Sequence, residues 1–145
     1  MARAHSVLAR HLQNPGQKHL SAAYQVWRYL FRTKYLAISA SGDTPQNSYY
    51  LTKPQEAVEE LIFYGASDAA FADDPERKSS QGYLFSLYGL PIDWKAPVQR
   101  SVTLSTTEAE FLALSLAGSE LMWWKRLFKH VNFELSIPPT LFYDN

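Results

Sequence analysis

Apolar and polar positions change period along the chain, and the change separates a helical front from a strand-rich back. From Ala4 to Gln13, Val7, Leu8 and Leu12 recur at helical spacing with basic residues between them, and Asn14-Pro15-Gly16 stops the pattern. From His19 to Arg32, Leu20, Ala23, Tyr24, Trp27, Leu30 and Phe31 fall on one stripe, which predicts a second amphipathic helix and, with the first, a helical hairpin. Tyr35 to Ala40 reads as a short strand. Ser41 to Tyr49 is polar and carries Gly42, Pro45 and Asn47, the mark of a turn or linker; Glu56 to Glu60 is acidic and has no clear period.

Beyond that point the strand formers take over. Leu61 to Ala69 predicts a first strand bearing Asp68 near its end, and Asp73-Asp74-Pro75-Glu76-Arg77-Lys78 a charged turn. Gly82 to Tyr88 is a second strand, Gly89-Leu90-Pro91 a turn, and Ile92 to Lys95 a third, together an antiparallel meander. A long helix follows over Thr106 to His130. Ser105-Thr106-Thr107-Glu108 fits a capping box at its start, as does Thr107 with Glu110. Phe111, Leu114, Ala117, Leu121, Trp124 and Phe128 give it an apolar face, whereas its adjacent Trp123 points well away from that of Trp124. Pro138-Pro139 bars helix, and Thr140 to Asp144 reads as a fourth strand. Three strands, a helix and a strand imply an α/β fold with a mixed sheet and a crossover helix.

Composition narrows the class. With 145 residues, 46% of them hydrophobic and 14% aromatic, the chain can bury a core; at 19% charged it is not a disordered sequence. It has no cysteine, which excludes disulfide frameworks and cysteine-based zinc sites and fits the cytoplasm or nucleus. No apolar run reaches the roughly 18 residues that a bilayer span requires, so no membrane is expected. The net charge is zero but unevenly spread: Met1 to Gly42 holds six basic residues (Arg3, Arg10, Lys18, Arg28, Arg32, Lys34) and no acid, while the rest holds 8 basic and 14 acidic. That asymmetry suits a protein that grips phosphates with one region and metal ions with another. It also fits a solvated helical face or an organelle transit peptide, although the segment's unbroken passage into structured sequence counts against the latter.

The candidate chemistry lies in carboxylates placed where elements end. Asp68 closes the first strand, Glu110 stands in the first turn of the long helix, and Asp144 closes the fourth strand. Gathered in one cleft they would repel unless a divalent cation held them, and Mg²⁺ takes such oxygens together with phosphate. Acids at such positions are more often turn and cap residues, so spacing alone decides little. The four histidines, at 5, 11, 19 and 130, lack metal-ligand spacing.

More specific is a series of ordered motifs. Tyr64-Gly65-Ala66-Ser67-Asp68-Ala69, then Asp74-Pro75 and Arg77-Lys78-Ser79-Ser80-Gln81-Gly82-Tyr83, resemble the opening of the ribonuclease H domain of copia-type LTR retrotransposon Pol polyproteins. Pro91-Ile92-Asp93-Trp94-Lys95 and Leu104-Ser105-Thr106-Thr107-Glu108-Ala109-Glu110-Phe111-Leu112-Ala113-Leu114 continue the resemblance in order, and Phe142-Tyr143-Asp144-Asn145 is similar to the third acidic motif. Asn14-Pro15-Gly16 and Trp27-Arg28-Tyr29-Leu30 resemble the segment that joins reverse transcriptase to ribonuclease H. The resemblance implies a helical connector over 1–40, a linker over 41–60 and a partial ribonuclease-H-like domain over 61–145.

What the resemblance implies in function is hydrolysis of RNA in RNA–DNA hybrids, with Mg²⁺ (or Mn²⁺) in a two-ion site. Asp68, Glu110 and Asp144 would be catalytic carboxylates and metal ligands, and Glu108 a cap partner. Arg77, Lys78, Ser79, Ser80 and Lys95 would hold the nucleic-acid backbone, and the remainder of the polyprotein, including reverse transcriptase, would be a partner. Two departures stand out: Ala70 and Phe71 replace an acid and an indole common in the family, and Pro97 and Val98 replace a basic tendency. Because the sequence stops one residue after Asp144, the fourth family carboxylate has no counterpart. The expectation is therefore weak or absent activity in the isolated chain, the alternative being an inactive remnant with at most weak nucleic-acid binding.

Overall fold

A computed structural model describes residues 2–38, 62–74 and 76–143. Its elements run α1 (Ala2–Ala9), α2 (Gln17–Arg32), β1 (Phe63–Ala70), β2 (Ser80–Leu87), β3 (Leu90–Lys95), α3 (Thr106–His130) and β4 (Thr140–Tyr143). The expected linker over 41–60 lies outside the described residues. Tyr35–Ile38, expected to begin a strand, is irregular. Its apolar side chains Tyr35, Leu36 and Ile38 are exposed, the Leu36 N–H turns back to the Thr33 carbonyl at 2.9 Å, and none of the described strands pairs with the segment.

The sheet is mixed, in the order β3-β2-β1-β4. β1 and β2 pair antiparallel without a break, from Phe63 opposite Leu87 to Ala70 opposite Ser80. β2 turns into β3 through Tyr88 and Gly89, both with positive φ (50° and 75°), the geometry of a two-residue hairpin turn. The turn therefore comes one residue earlier than expected, and Pro91 falls inside β3. Proline is tolerated there because β3 is an edge strand, and the register shifts beside it, between Phe85 and Ser86. β4 returns parallel to β1, with Ser67 opposite Tyr143. A three-strand meander, a crossover helix and a parallel fourth strand are the ribonuclease-H-like arrangement that the sequence predicts.

α3 has the predicted bounds because both ends are coded locally. Ser105 caps the start, its hydroxyl accepting the Glu108 N–H at 3.1 Å, and the Glu108 carboxylate accepts the Leu104 N–H at 2.7 Å. Thr107 plays no part in the cap. At the other end Asn132 adopts a left-handed conformation (φ 54°) and the Phe133 N–H returns to the Phe128 carbonyl at 2.9 Å, which turns Phe133 back onto the core.

The core lies between α3 and one face of the sheet. Phe85 is wholly buried, and Phe63, Tyr83, Ala117 and Phe128 surround it. Phe128 meets Phe63 edge-on at 4.9 Å. Each such aromatic contributes on the order of 2–3 kcal/mol through burial. Trp124 joins this cluster and donates its indole N–H to Asp93 at 3.1 Å, while Trp123 stays exposed, as the helical phase requires. The turn after α1 meets α2 through the stacked rings of His11 and His19, 3.8 Å apart. The apolar stripe of α2 contains no buried residue.

Candidate active site

α3 runs back along β1. Its late residue Phe128 touches Phe63 at the start of the strand. Near its beginning, the Ala109 carbonyl accepts from Gln99 Nε2 at 2.9 Å, and the Gln99 N–H bonds to Ser79, next to the Ser80–Ala70 pair that ends the β1–β2 ladder. Asp68 and Glu110 consequently lie at the same end of the sheet, and β4 finishes there too, beside Ser67.

Asp68 is exposed on the rim of β1. Phe63, Gly65 and Ser67 alternate toward α3, and Asp68 turns the other way. Glu110 is half-buried and sits just past the first turn of α3, whose acid is Glu108. The helix dipole, felt mainly within the first turn, acts less on Glu110 than the sequence suggested. Asp144 lies outside the described residues. Among the described residues no three His, Cys, Asp or Glu side chains gather as a metal site. Asp68 and Glu110 are hard oxygen donors of the kind Mg²⁺ accepts.

The phosphate-contact candidates divide into two groups. Ser79 is completely buried: its hydroxyl shares a 2.8 Å hydrogen bond with Thr103 and accepts the Ala72 N–H at 3.1 Å, fastening the turn before β2 to the approach to α3. Ser80 is buried as well and donates to Asp73 at 2.6 Å. Arg77 and Lys95 are exposed, and Lys78 is half-buried with its ammonium 2.7 Å from Glu76.

No local pattern in the sequence signals how α1 attaches. Arg3 pairs with Asp73 at 2.9 Å, and Arg10 with Asp74 and, at 3.1 Å, with Glu76. Two of the six basic residues of the acid-free front therefore pair with the acidic turn after β1. The Glu76 N–H donates to Asp74 and, with Arg10, holds the Asp74 carboxyl below its ordinary range; Lys78 does the same to Glu76. Only the charge asymmetry between front and turn hinted at this docking, because the partners lie 70 and 64 residues apart.

Neither a protein-family profile nor a solved structure matches the chain. Curated proteins do. The chain is 36% identical over 132 residues, 90% of its length, to the retrovirus-related Pol polyprotein from transposon TNT 1-94 of Nicotiana tabacum, and 31% identical over 139 residues to that of transposon RE2 of Arabidopsis thaliana. It spans 9% and 8% of those two polyproteins. It is also 36% identical over 124 residues to the secreted RxLR effector protein 161 of Plasmopara viticola, of which the match covers 77%.

Proposed function

The chain belongs to the retrovirus-related Pol polyproteins of copia-type transposons, and on that premise we propose that it is the ribonuclease H segment of such a polyprotein, hydrolysing RNA in RNA–DNA hybrids. One observation carries the reading: β1 and α3 deliver Asp68 and Glu110 to one end of the sheet, where β4, the strand that leads into Asp144, also finishes. Asp68, Glu110 and Asp144 are the carboxylates that would hold Mg²⁺. When bound, the metal supplies water activation and charge neutralisation at the leaving oxygen. The chain's own residues set the frame. Gln99 ties the Ala109 carbonyl, next to Glu110, to the strand layer, Ser79 and Thr103 fasten the approach to α3, and Arg77, Lys78 and Lys95 offer cations to the nucleic-acid backbone.

The test is cleavage of a labelled RNA–DNA hybrid by the purified chain with and without Mg²⁺, beside Asp68→Asn and Glu110→Gln. Metal-dependent cutting that both substitutions abolish is the expected result. A second reading, a chain without catalytic activity, is favoured by the Plasmopara relative, most of whose length this segment matches and whose name is that of an effector and not a polyprotein. Absence of cutting by protein with a cooperative melt would decide for it.

A further inference from the structure

Arg10, Lys78 and Arg100 line one shallow cleft with Ser6 and Gln99, at the seam between α1 and the turn that joins β1 to β2. Three cations facing one space repel unless an anion stands among them. Glu76, which does not itself line the cleft, offsets two of them, accepting from Arg10 at 3.1 Å and from Lys78 at 2.7 Å. This acid differs from Asp74, its neighbour in the turn. The Asp74 side chain is 3% exposed and also accepts a backbone N–H, whereas that of Glu76 is 58% exposed and is held by the two cations. Asp74 anchors Arg10 independently, so Arg10 keeps its place if the Glu76 carboxylate swings out. Arg100 is exposed and has no ion-pair partner among the described residues.

We propose that Arg10, Lys78 and Arg100 form a phosphate subsite and that Glu76 holds two of its cations, Arg10 and Lys78, in cis until a nucleic-acid phosphodiester displaces its carboxylate. A carboxylate and a phosphodiester each present two anionic or partly anionic oxygens, and both accept from a guanidinium and an ammonium at once. A polynucleotide fits better than a free phosphate ion. The cleft is open and gives a small ion little enclosure, while exposed Arg77 on the same turn gives a strand a further cation next to it. The subsite rests on the nucleic-acid reading above but not on hydrolysis, and it makes α1 part of the binding surface.

The experiment measures binding of a fluorescein-labelled RNA–DNA hybrid to the full chain by anisotropy, in EDTA so that nothing is cut, over a range of salt. Glu76→Gln removes the internal competitor while Asp74 still holds Arg10, so affinity at low salt rises by about threefold to tenfold. Lys78→Ala and Arg100→Ala weaken binding, and each lowers the salt slope by about one. Unchanged or weaker binding by Glu76→Gln, with wild-type circular dichroism and melting temperature, overturns the proposal. Should that variant melt early, Arg100→Glu serves instead: it reverses an exposed charge outside any ion pair and must weaken binding by about tenfold. Inorganic phosphate at matched ionic strength separates the two sources of the group. Saturable binding of it to Glu76→Gln, with hybrid affinity unmoved, would assign the cleft to a free phosphate and overturn the strand assignment. Cleavage in Mg²⁺ is scored separately, so loss of the nuclease reading leaves a Glu76 effect on affinity visible.

Discussion

At Gly65 a methyl group would stand 2.4 Å from Cε1 and 2.6 Å from Cδ1 of Phe85, and 3.0 Å from a Leu141 methyl. Phe85 cannot yield, since it is fully buried and packed against Phe63 and Tyr83. Overpacking of this kind costs about 3 kcal/mol, offset by somewhat under 1 kcal/mol from the reduced chain entropy of alanine, for a net loss of about 2 kcal/mol. Gly118 is the counterpart on α3, where an added methyl meets nothing within 4 Å. There the same substitution gains helix propensity, about 1 kcal/mol. At roughly 4 °C per kcal/mol, Gly65→Ala lowers the Tm by about 8 °C and Gly118→Ala raises it by about 4 °C. Thermal melts followed at 222 nm, with urea titrations to confirm the order, read both. Gly65→Ala melting at or above wild type would refute the packing of β1 against β2, and Gly118→Ala melting lower would refute the open face of α3.

Three further outcomes are expected. Ser105→Ala removes the α3 cap and costs about 1 kcal/mol, seen as faster amide exchange at Thr107–Glu110 with the helix centre unchanged; uniform exchange along the helix would contradict it. Phe128→Ala opens the aromatic cluster and costs about 3–5 kcal/mol by urea denaturation; a loss under 1 kcal/mol would mean that Phe128 is not a core residue. Acid should release α1. Asp74 and Glu76 are held below their ordinary values, so their contribution is full above those values and is lost as pH falls through the depressed ones. Between about pH 5 and about pH 3, amide protection at residues 3–10 is expected to fall before that of the sheet, and equal loss in both would refute the clamp.

The sequence made some elements legible and others not, for physical reasons. α3 was readable to the residue because its cap and its left-handed terminator are local chemistry, encoded within a few positions. The strands were readable as elements but their ends moved by a residue or two. β2 begins at Ser80 because Ser80 and Ala70 still pair, a long-range condition that no local pattern states. The strand expected from Tyr35, irregular over the described residues 35–38, was read from apolar residues in short succession, a signal that needs a partner strand to become structure. At the site, Asp68 and Glu110 were marked by motifs, whereas the burial of Ser79 and Ser80 was not. A serine beside Arg77-Lys78 looks available for phosphate until the fold shows Thr103 and Asp73 claiming both hydroxyls.

Charge was the property whose meaning changed most between chain and fold. Along the sequence the basic front and the acidic remainder look like separate surfaces for separate ligands. In the fold, Arg3 and Arg10 lie against Asp73, Asp74 and Glu76, so part of each surface neutralises the other. The turn that receives them follows β1 and precedes β2, and thus sits at the same end of the sheet as Asp68 and Glu110. Cations suited to a phosphodiester and carboxylates suited to a divalent ion are therefore neighbours in space although they are spread across the chain. On the proposed function, that juxtaposition holds the group to be cleaved while its charge is offset. It also gives α1 a reason to be basic. By closing on the acidic turn, α1 brings Arg10 to within reach of Lys78 and Arg100, and three cations that are remote in sequence come to line one cleft.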